Sequence, residues 1–387
     1  GIEPPSMEVA GPRQKVYFDP KSACAAIVTC GGLCPGLNDV IQGLVMALYY
    51  HYGVRRILGI RYGYYGLVDY NGEVPLALTP QEVATIDTMG GSILGSSRGN
   101  QNVVDMVDFL VRRGINILFT VGGDGTQRGA LAIAARWSAA RPRAAVVGVP
   151  KSIDNQLSCS WRAFGFGTAF SVATEVLHGA HMEAYGALNG ICIVKLMGRH
   201  SGFLATMATI ASGEVNFLLV PEVPFRLEGE HGFLASLEKR IRKRKHALVV
   251  VAEGAGQDIL ADQVEKLGKD ASGNVKLADI GVYLKEEVDE FFKQKDVPVV
   301  TRYIDPSYYV RSIPAVPTDK VFCQQLARNA VHAAMSGRTG MLVGLWNDKF
   351  THLPIEAAVS KSKVVDTDGP LWLAAVESTG QPLRMID

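Results

Sequence analysis

Short apolar runs rich in β-branched residues alternate with segments whose apolar residues recur every three or four positions, almost from end to end. "ACAAIVTC", residues 23–30, reads as a buried strand. It is followed by a Gly/Pro turn and by "NDVIQGLVMALYYHYG", in which Val40, Ile41, Leu44, Val45 and Leu48 share one helical face. Further strands are predicted at "RRILGI", "INILFTVG", "AAVVGVP", "ICIVKL", "NFLLVP", "ALVVVAEG", "VPVVTRYI" and "GMLVGLW". Helical patterns lie between most of them, including "NVVDMVDFLVRRG", "TQRGALAIAARW", "FSVATEVLHGAHMEAYG" and "DKVFCQQLARNAVHAAMSG". Strand, turn, helix and strand in repetition make parallel sheets with helices on both faces. The expected fold class is α/β, doubly wound, with mainly parallel sheets and two such domains.

Length supports the division, because 387 residues exceed what one core ordinarily serves. A change of domain is expected near Phe166, after a cluster of polar turn residues. Residues 1–21 carry prolines and little apolar periodicity, and are read as an extended arm. Charge removes some functions: 39 basic residues face 38 acidic ones, so no general basic field exists to bind nucleic acid. An anionic ligand must then be held by local cations. The dense basic run "EKRIRKRKHALVV" is read as the solvated face of a helix before a strand. The six cysteines lack paired C-x-x-C spacing, which disfavours a zinc site or a disulfide framework and fits a reducing compartment. No apolar stretch reaches the roughly 18 residues of a membrane span, so no membrane partner is expected. The opening residues lack a signal-peptide pattern, and the chain does not begin with methionine, so a removed transit peptide stays open.

Four strand ends carry turns that could do chemistry. In "TCGGLCPGLND", Gly31 and Gly32 separate a strand from a helix start, where bare N–H groups favour an anion; a tight turn alone also needs glycine. In "TVGGDGTQRGA", Asp124 sits among glycines at a strand end. Arg128 stands where a dinucleotide fingerprint wants its last glycine, and no G-K-[ST] follows. Asp124 is therefore a candidate Mg²⁺ and phosphate residue, or else a helix cap. "GVPKSIDNQLSCS" places Asp154 just beyond an apolar strand, as a turn former or a catalytic carboxylate. "KLMGRHSGF" places Arg199 where it could clamp a phosphate or simply face solvent. Arg98 and Arg311 add two cations in polar turns. A nucleotide with Mg²⁺, several arginines and one carboxylate to accept a hydroxyl proton are the parts of a phosphoryl-transfer site.

Taken together, "CGGLCPGLND", "GGSILGSSRG", "FTVGGDGTQRGA", "GVPKSIDNQ", "VKLMGRHSGF", "VPEVPF", "VAEGAGQD" and "YIDPSYYVRS" resemble the 6-phosphofructokinases, in particular the ATP-using branch of plants and trypanosomatids. The resemblance runs from about Gly11 to Pro382 with the motifs in family order. NAD kinases and diacylglycerol-type lipid kinases share GGDGT but lack the PK-x-ID and MGR turns. The resemblance implies a nucleotide-binding domain at 22–166 plus 319–358 and a fructose-6-phosphate domain at 167–318 plus 359–387, with the active site in the cleft between them. Gly31, Arg98, Asp124, Gly125 and Thr126 would line the nucleotide and Mg²⁺ site, with Asp124 on the metal. Asp154 would be the base for the sugar 1-hydroxyl, and Lys151 and Ser152 would hold the phosphoryl group in transfer. Met197, Gly198, Arg199, Glu222, Tyr308 and Arg311 would bind fructose 6-phosphate, with Arg199 also offsetting charge in the transition state.

The same resemblance assigns the donor. An aspartate after Asp124 accompanies pyrophosphate use in the family, by occupying the space of an ATP α-phosphate. Gly125 leaves that space open and favours ATP, although Lys151 is found in both groups. The family's PKTIDND reads "PKSIDNQ" here. Ser152 keeps the hydroxyl, whereas Gln156 removes a negative charge beside metal and base. A catalytically weakened regulatory subunit is the alternative that Gln156 motivates, and a pyrophosphate-dependent enzyme is another. The family implies an allosteric homotetramer, or a mixed oligomer, working in glycolysis in the cytoplasm, or in the plastid stroma after loss of a transit peptide.

Overall fold

The computed structural model describes residues 7–99, 101–140, 143–158, 160–270 and 273–386. The chain divides into two compact units. The first comprises Gly1–Ile153, Leu157–Gly167 and Arg311–Ser362; the second comprises Asp154–Gln156, Thr168–Val310 and Lys363–Asp387.

The first unit is built on eight strands: β1 Glu8–Val9, β2 Cys24–Thr29, β3 Arg56–Ile60, β4 Leu76–Ala77, β5 Ile117–Gly122, β6 Ala145–Pro150, β11 Met341–Trp346 and β12 Lys349–Pro354. They lie in the order β1-β12-β11-β6-β5-β2-β3-β4. The pairs of β2 with β3 and β5, and of β6 with β5 and β11, are parallel. Strands β1, β4 and β12 join antiparallel at the two margins. Its helices are α1 Leu37–Met46, α2 Val103–Arg112, α3 Asp124–Ala140, α10 Pro317–Met335 and the short α11 Ile355–Ala358. Strands β2, β5 and β6 are buried at every residue, which is why each reads as an unbroken apolar run. Phe109, Phe119 and Trp137 are fully buried in this unit.

The second unit has a wholly parallel sheet, β10-β7-β9-β8, of β7 Gly190–Leu196, β8 Phe217–Leu219, β9 His246–Ala252 and β10 Val300–Ile304. Helices α4 Phe166–Tyr185, α5 Phe203–Ser212, α6 Phe233–Arg244, α7 Ala261–Leu267, α8 Ile280–Gln294, α9 Ser307–Arg311 and α12 Pro370–Thr379 complete it, with the boundary falling just inside α4 and α9. Its core gathers Phe217, Phe233, Leu237, Val249, Leu284 and Phe292. The expected α/β class with mainly parallel sheets is thus the observed one. Among the described residues no helix is long and apolar enough to cross a membrane. Cys24, Cys30, Cys34, Cys192 and Cys323 are buried and unbridged, while Cys159 lies outside the described residues.

Part of the segment read as an extended arm is an edge strand. Glu8 and Val9 pair with His352 and Thr351 of β12, and Tyr17 N–H donates to Met335 O. Two residues carry no periodicity, so this strand forms only because β12 offers it a partner. The Glu8 carboxylate accepts from Arg338 at 2.6 and 2.9 Å, from His352 Nδ1 at 2.7 Å, and pairs with Arg13 at 3.1 Å. The Arg338 hydrogen bonds first, opposed by burial and aided by His352 and Arg13, hold its pKa well below the ordinary 4.5. A carboxylate with a depressed folded pKa stabilises above its unfolded pKa, and that stabilisation is lost as pH falls toward the folded value. Glu8→Gln is therefore expected to lower the melting temperature at pH 7. The gap from the wild type should shrink steadily below about pH 4.5, which a melting series across pH 3–7 measures.

Candidate active site

The strand order locates the chemistry of the first unit. From β2 the chain steps outward to β3 on one side and, through β5, to β6 on the other, so the order reverses between β2 and β5. Open α/β sheets bind ligands beyond the carboxyl ends of strands at such a point. Those ends carry Gly31–Gly32 and Gly123–Asp124. Gly31 takes φ +85°, a left-handed conformation that glycine adopts without a Cβ penalty, and its N–H donates to Ser97 O at 3.1 Å. A Cβ on Gly31 would sit 3.5 Å from Lys151 Nζ; one on Gly32 would sit 3.3 Å from Arg98 Nη2 and 3.8 Å from Arg311 Nη1. Three cations thus converge on one turn. Lys151 is only 8% exposed, and its ammonium donates to Gly32 O at 2.7 Å.

Asp124 is the first residue of α3, which begins two residues earlier than the periodic pattern. Its Oδ1 is buried and makes no hydrogen bond. Burial raises the Asp124 pKa above the ordinary carboxylate value, with Arg128 opposing. The glycines around it differ in what they do. A Cβ on Gly122 would meet Thr126 Oγ1 at 2.2 Å, so that glycine is required by packing. A Cβ on Gly125 would meet nothing within 4 Å, so packing gives no reason for glycine there. Thr126 is 7% exposed and its side chain packs over Gly122, which makes it part of the scaffold under the turn.

An orphaned carboxylate oxygen at a strand end suits Mg²⁺, which keeps several waters and completes its shell with phosphate oxygens. Among the described residues no group of three or more His, Cys, Asp or Glu could hold a metal without such help. The orphaned Asp124 oxygen is the donor that such an ion would take.

In the second unit, β7 ends at Leu196 and delivers Met197, Gly198 and Arg199 ahead of α5. Gly198 has φ +141°, and a Cβ there would lie 2.6 Å from Ser201 O. Asp154 belongs to the same unit, and its carbonyl accepts from Ser201 Oγ at 3.1 Å. Two residues on, Gln156 O accepts from Lys363 N–H at 2.7 Å. Asn155 between them has φ +51°. The turn bearing Asp154 is thus tied by backbone acceptors at Asp154 and at Gln156. Ser152 is buried and precedes the point where the chain passes from one unit to the other.

Other expected site residues have more mixed surroundings. Glu222 accepts from Gly202 N–H through both oxygens, at 2.9 and 3.1 Å, and from Val365 N–H at 2.8 Å, so its carboxylate anchors the entry to α5. Arg199 Nη1 donates to Val275 O. Tyr308 is 76% exposed on α9. Arg311, grouped by sequence with the sugar-phosphate residues, lies against Gly32 and Arg98 in the first unit. Burial first, then Arg199, push His200 below its ordinary pKa against the pull of Glu253, which favours a neutral packing imidazole.

Two residues went unread in the sequence. Glu253 follows β9, next to β7, and its N–H donates to Leu196 O; "VAEG" after an apolar run was the available signal. Lys363 has its ammonium 5.3 Å from the Phe203 ring centroid, and burial pushes its pKa down to about 8. Nothing in the polar run "SKSKVVDTDG" signals that.

The chain is similar to known proteins in both sequence and fold. The family model described as "Phosphofructokinase" matches residues 24–334. A Borreliella burgdorferi protein named ATP-dependent 6-phosphofructokinase is 47% identical over 98% of this chain and 86% of its own length. An Arabidopsis thaliana protein named "ATP-dependent 6-phosphofructokinase 5, chloroplastic" is 46% identical over 96% of this chain and 68% of its own. The crystal structure of Pichia pastoris phosphofructokinase in the T-state superposes with a TM-score of 0.73 at 23% identity. That match covers 94% of this chain but only 38% of the yeast chain, so it bears on the fold alone.

Proposed function

This chain belongs to the phosphofructokinase family, close to its plant and trypanosomatid ATP-dependent members, and from that premise we propose how it works. It is an ATP-dependent 6-phosphofructokinase that phosphorylates fructose 6-phosphate to fructose 1,6-bisphosphate. In our reading the first unit takes the nucleotide and the second takes the sugar phosphate. The observation that carries the first assignment is the convergence of Lys151, Arg98 and Arg311 on Gly31–Gly32, at the switch point of the sheet. Fixed cations there stabilise the charge spread over a phosphoryl group in transfer.

Asp124 would hold Mg²⁺ through its orphaned oxygen, and the bound ion would neutralise the nucleotide's phosphate charge. The first-turn N–H groups of α3, at Gly125 and Thr126, face the phosphates. Lys151 and the Ser152 hydroxyl position the transferring group. Asp154 accepts the proton of the sugar 1-hydroxyl as that oxygen attacks the γ-phosphorus and ADP leaves. Met197, Gly198 and Arg199 seat the sugar phosphate, and Arg199 offsets developing charge. Tyr308 is the outer wall of this seat. Glu222 contributes by holding the α5 entry in place. Arg311 serves either the donor or the acceptor phosphate from its place beside Gly32. The working assembly is a homotetramer, in line with the family.

The test is steady-state formation of fructose 1,6-bisphosphate with ATP and pyrophosphate as rival donors. Turnover with ATP and Mg²⁺, and little with pyrophosphate, is expected. Preference for pyrophosphate would overturn the donor assignment. Measurable binding of both substrates without turnover would instead favour the second reading, a weakened regulatory subunit, which Gln156 motivates. Gln156→Asp restores a carboxylate near metal and base. It should lower the Mg²⁺ concentration for half-maximal rate by about fivefold, the equivalent of roughly 1 kcal/mol. Unchanged Mg²⁺ dependence would remove any role for Gln156.

A further inference from the structure

Strand β10 lies at the edge of the second sheet, beside β7. None of its five residues is buried, whereas six of the seven in β7 are, so apolar packing does little to fix where β10 ends. Yet from that end the chain runs through Asp305 into α9 and Tyr308. Something other than burial must hold it.

The exception to burial in β7 is Lys195, whose side chain is 13% exposed. The parallel register sets Val194 opposite Ile304, so Lys195 and Asp305 come side by side at the carboxyl ends of the two strands. The Lys195 ammonium pairs with Asp305 Oδ2 at 3.0 Å and with Asp279 Oδ2 at 2.8 Å. Each carboxylate uses its other oxygen to hold the start of a helix. Asp279 Oδ1 accepts from Gly281 and Val282 N–H at 3.1 and 3.2 Å at the head of α8, and Asp305 Oδ1 accepts from Ser307 N–H at 3.0 Å at the head of α9. Tyr303 closes the cluster: its hydroxyl donates to Asp279 Oδ1 at 2.9 Å, and a Cβ on Gly281 would meet its ring at 2.2 Å. Burial opposes the charge on Lys195, but hydrogen bonds to Asp279, Tyr303 and Asp305 outweigh it and hold its pKa above the ordinary lysine value.

Three segments meet on this one ammonium, and each leads to a residue of the sugar-phosphate seat. Met197, Gly198 and Arg199 follow Lys195 directly. Arg199 Nη1 donates to Val275 O, on the segment that leads into Asp279. Tyr308 lies just beyond Asp305 and Ser307. Hydrogen-bonded ion pairs fix both distance and direction, which apolar contact does not. We propose that Lys195 is a positioning residue for fructose 6-phosphate, which acts through Asp279 and Asp305 to set the spacing between the turn at 197–199 and Tyr308. The inference rests on the assignment of the sugar phosphate to the second unit, and adds to it a residue that touches no substrate.

Steady-state kinetics of the full-length chain, with fructose 6-phosphate and ATP varied in turn, test this. Lys195→Met removes the ammonium and keeps most of the stem. Asp305→Asn weakens one of the two pairs and leaves an amide oxygen for Ser307 N–H, so it carries the test if Lys195→Met does not fold. Each is expected to raise the KM for fructose 6-phosphate about tenfold or more, because a misplacement of about 1 Å can cost roughly a hundredfold, while the KM for ATP stays within about twofold. The double variant should be no worse than Lys195→Met alone, since both changes act on one pair. Losses that multiply in the double variant would put the two residues on separate routes and overturn the proposal. Equal rises in both KM values, the mark of a general loosening, would do the same. So would an unchanged KM for fructose 6-phosphate in variants that melt like the wild type. Each of these results leaves the phosphofructokinase reading untouched, whereas a wild type that neither binds nor phosphorylates fructose 6-phosphate would overturn the seat and this proposal together.

Discussion

Asp154→Asn is expected to lower kcat by a factor of about 10²–10⁴, the usual contribution of a positioned general base. Asparagine has nearly the shape of aspartate but cannot accept the hydroxyl proton. The backbone ties of this turn, Ser201 Oγ to Asp154 O and Lys363 N–H to Gln156 O, do not involve the replaced group. The turn's backbone path should therefore be kept, and the loss should fall on kcat while the KM for fructose 6-phosphate changes little. That split matters, because an interaction made only in the transition state lowers kcat without raising KM. A variant that keeps more than about a tenth of wild-type kcat, an effect of roughly 1.4 kcal/mol, would mean that Asp154 is a turn residue and that the proton leaves by another route.

The two readings of Asp154 left open by the sequence show where sequence reasoning reaches and where it stops. Strands β2, β5, β6, β7 and β9 are legible because burial on both faces writes them as continuous apolar runs. Strands β1 and β4 have two residues each, and β12, "KFTHLP", mixes polar and apolar positions at a sheet margin. Their existence depends on what they pair with, which a local pattern does not contain. The same holds for the candidate site. Turns at strand ends announce Gly31, Asp124, Asp154 and Gly198, because a strand-to-helix turn and a phosphate both demand small residues and bare N–H groups. Arg311 meets Gly32 and Arg98 across more than two hundred residues of sequence, a juxtaposition that only folding creates. Lys363 looks like a solvated lysine in a polar run, yet burial lowers its pKa to about 8. Glu222, expected from the sequence to bind the sugar phosphate, also accepts from backbone N–H groups through both its oxygens, which no local pattern announces. A residue type alone does not tell a substrate contact from a structural one.

Gly125→Asp is expected to cut kcat/KM for ATP by at least a hundredfold while leaving the protein folded. The structure makes this substitution unusually clean. No atom lies within 4 Å of a Cβ at position 125, and the residue is not among the glycines with positive φ, so aspartate enters without strain. It also enters the first turn of α3, where a negative charge interacts favourably with the helix dipole by about 0.3–1 kcal/mol. Melting temperature should hold or rise. What the aspartate disturbs is the space it fills: a carboxylate about 4 Å from a nucleotide phosphate costs roughly 4 kcal/mol at an effective dielectric constant near 20, or about a thousandfold. Pyrophosphate has no group where the ATP α-phosphate would lie, so its use should fall less or rise, and the ratio of the two donors should shift by a hundredfold or more. Equal losses with both donors would mean that the aspartate harms the Asp124 metal site instead. An unchanged ratio would therefore remove Gly125 as the residue that sets the donor, and would move that choice to Lys151 and the arginines around Gly32.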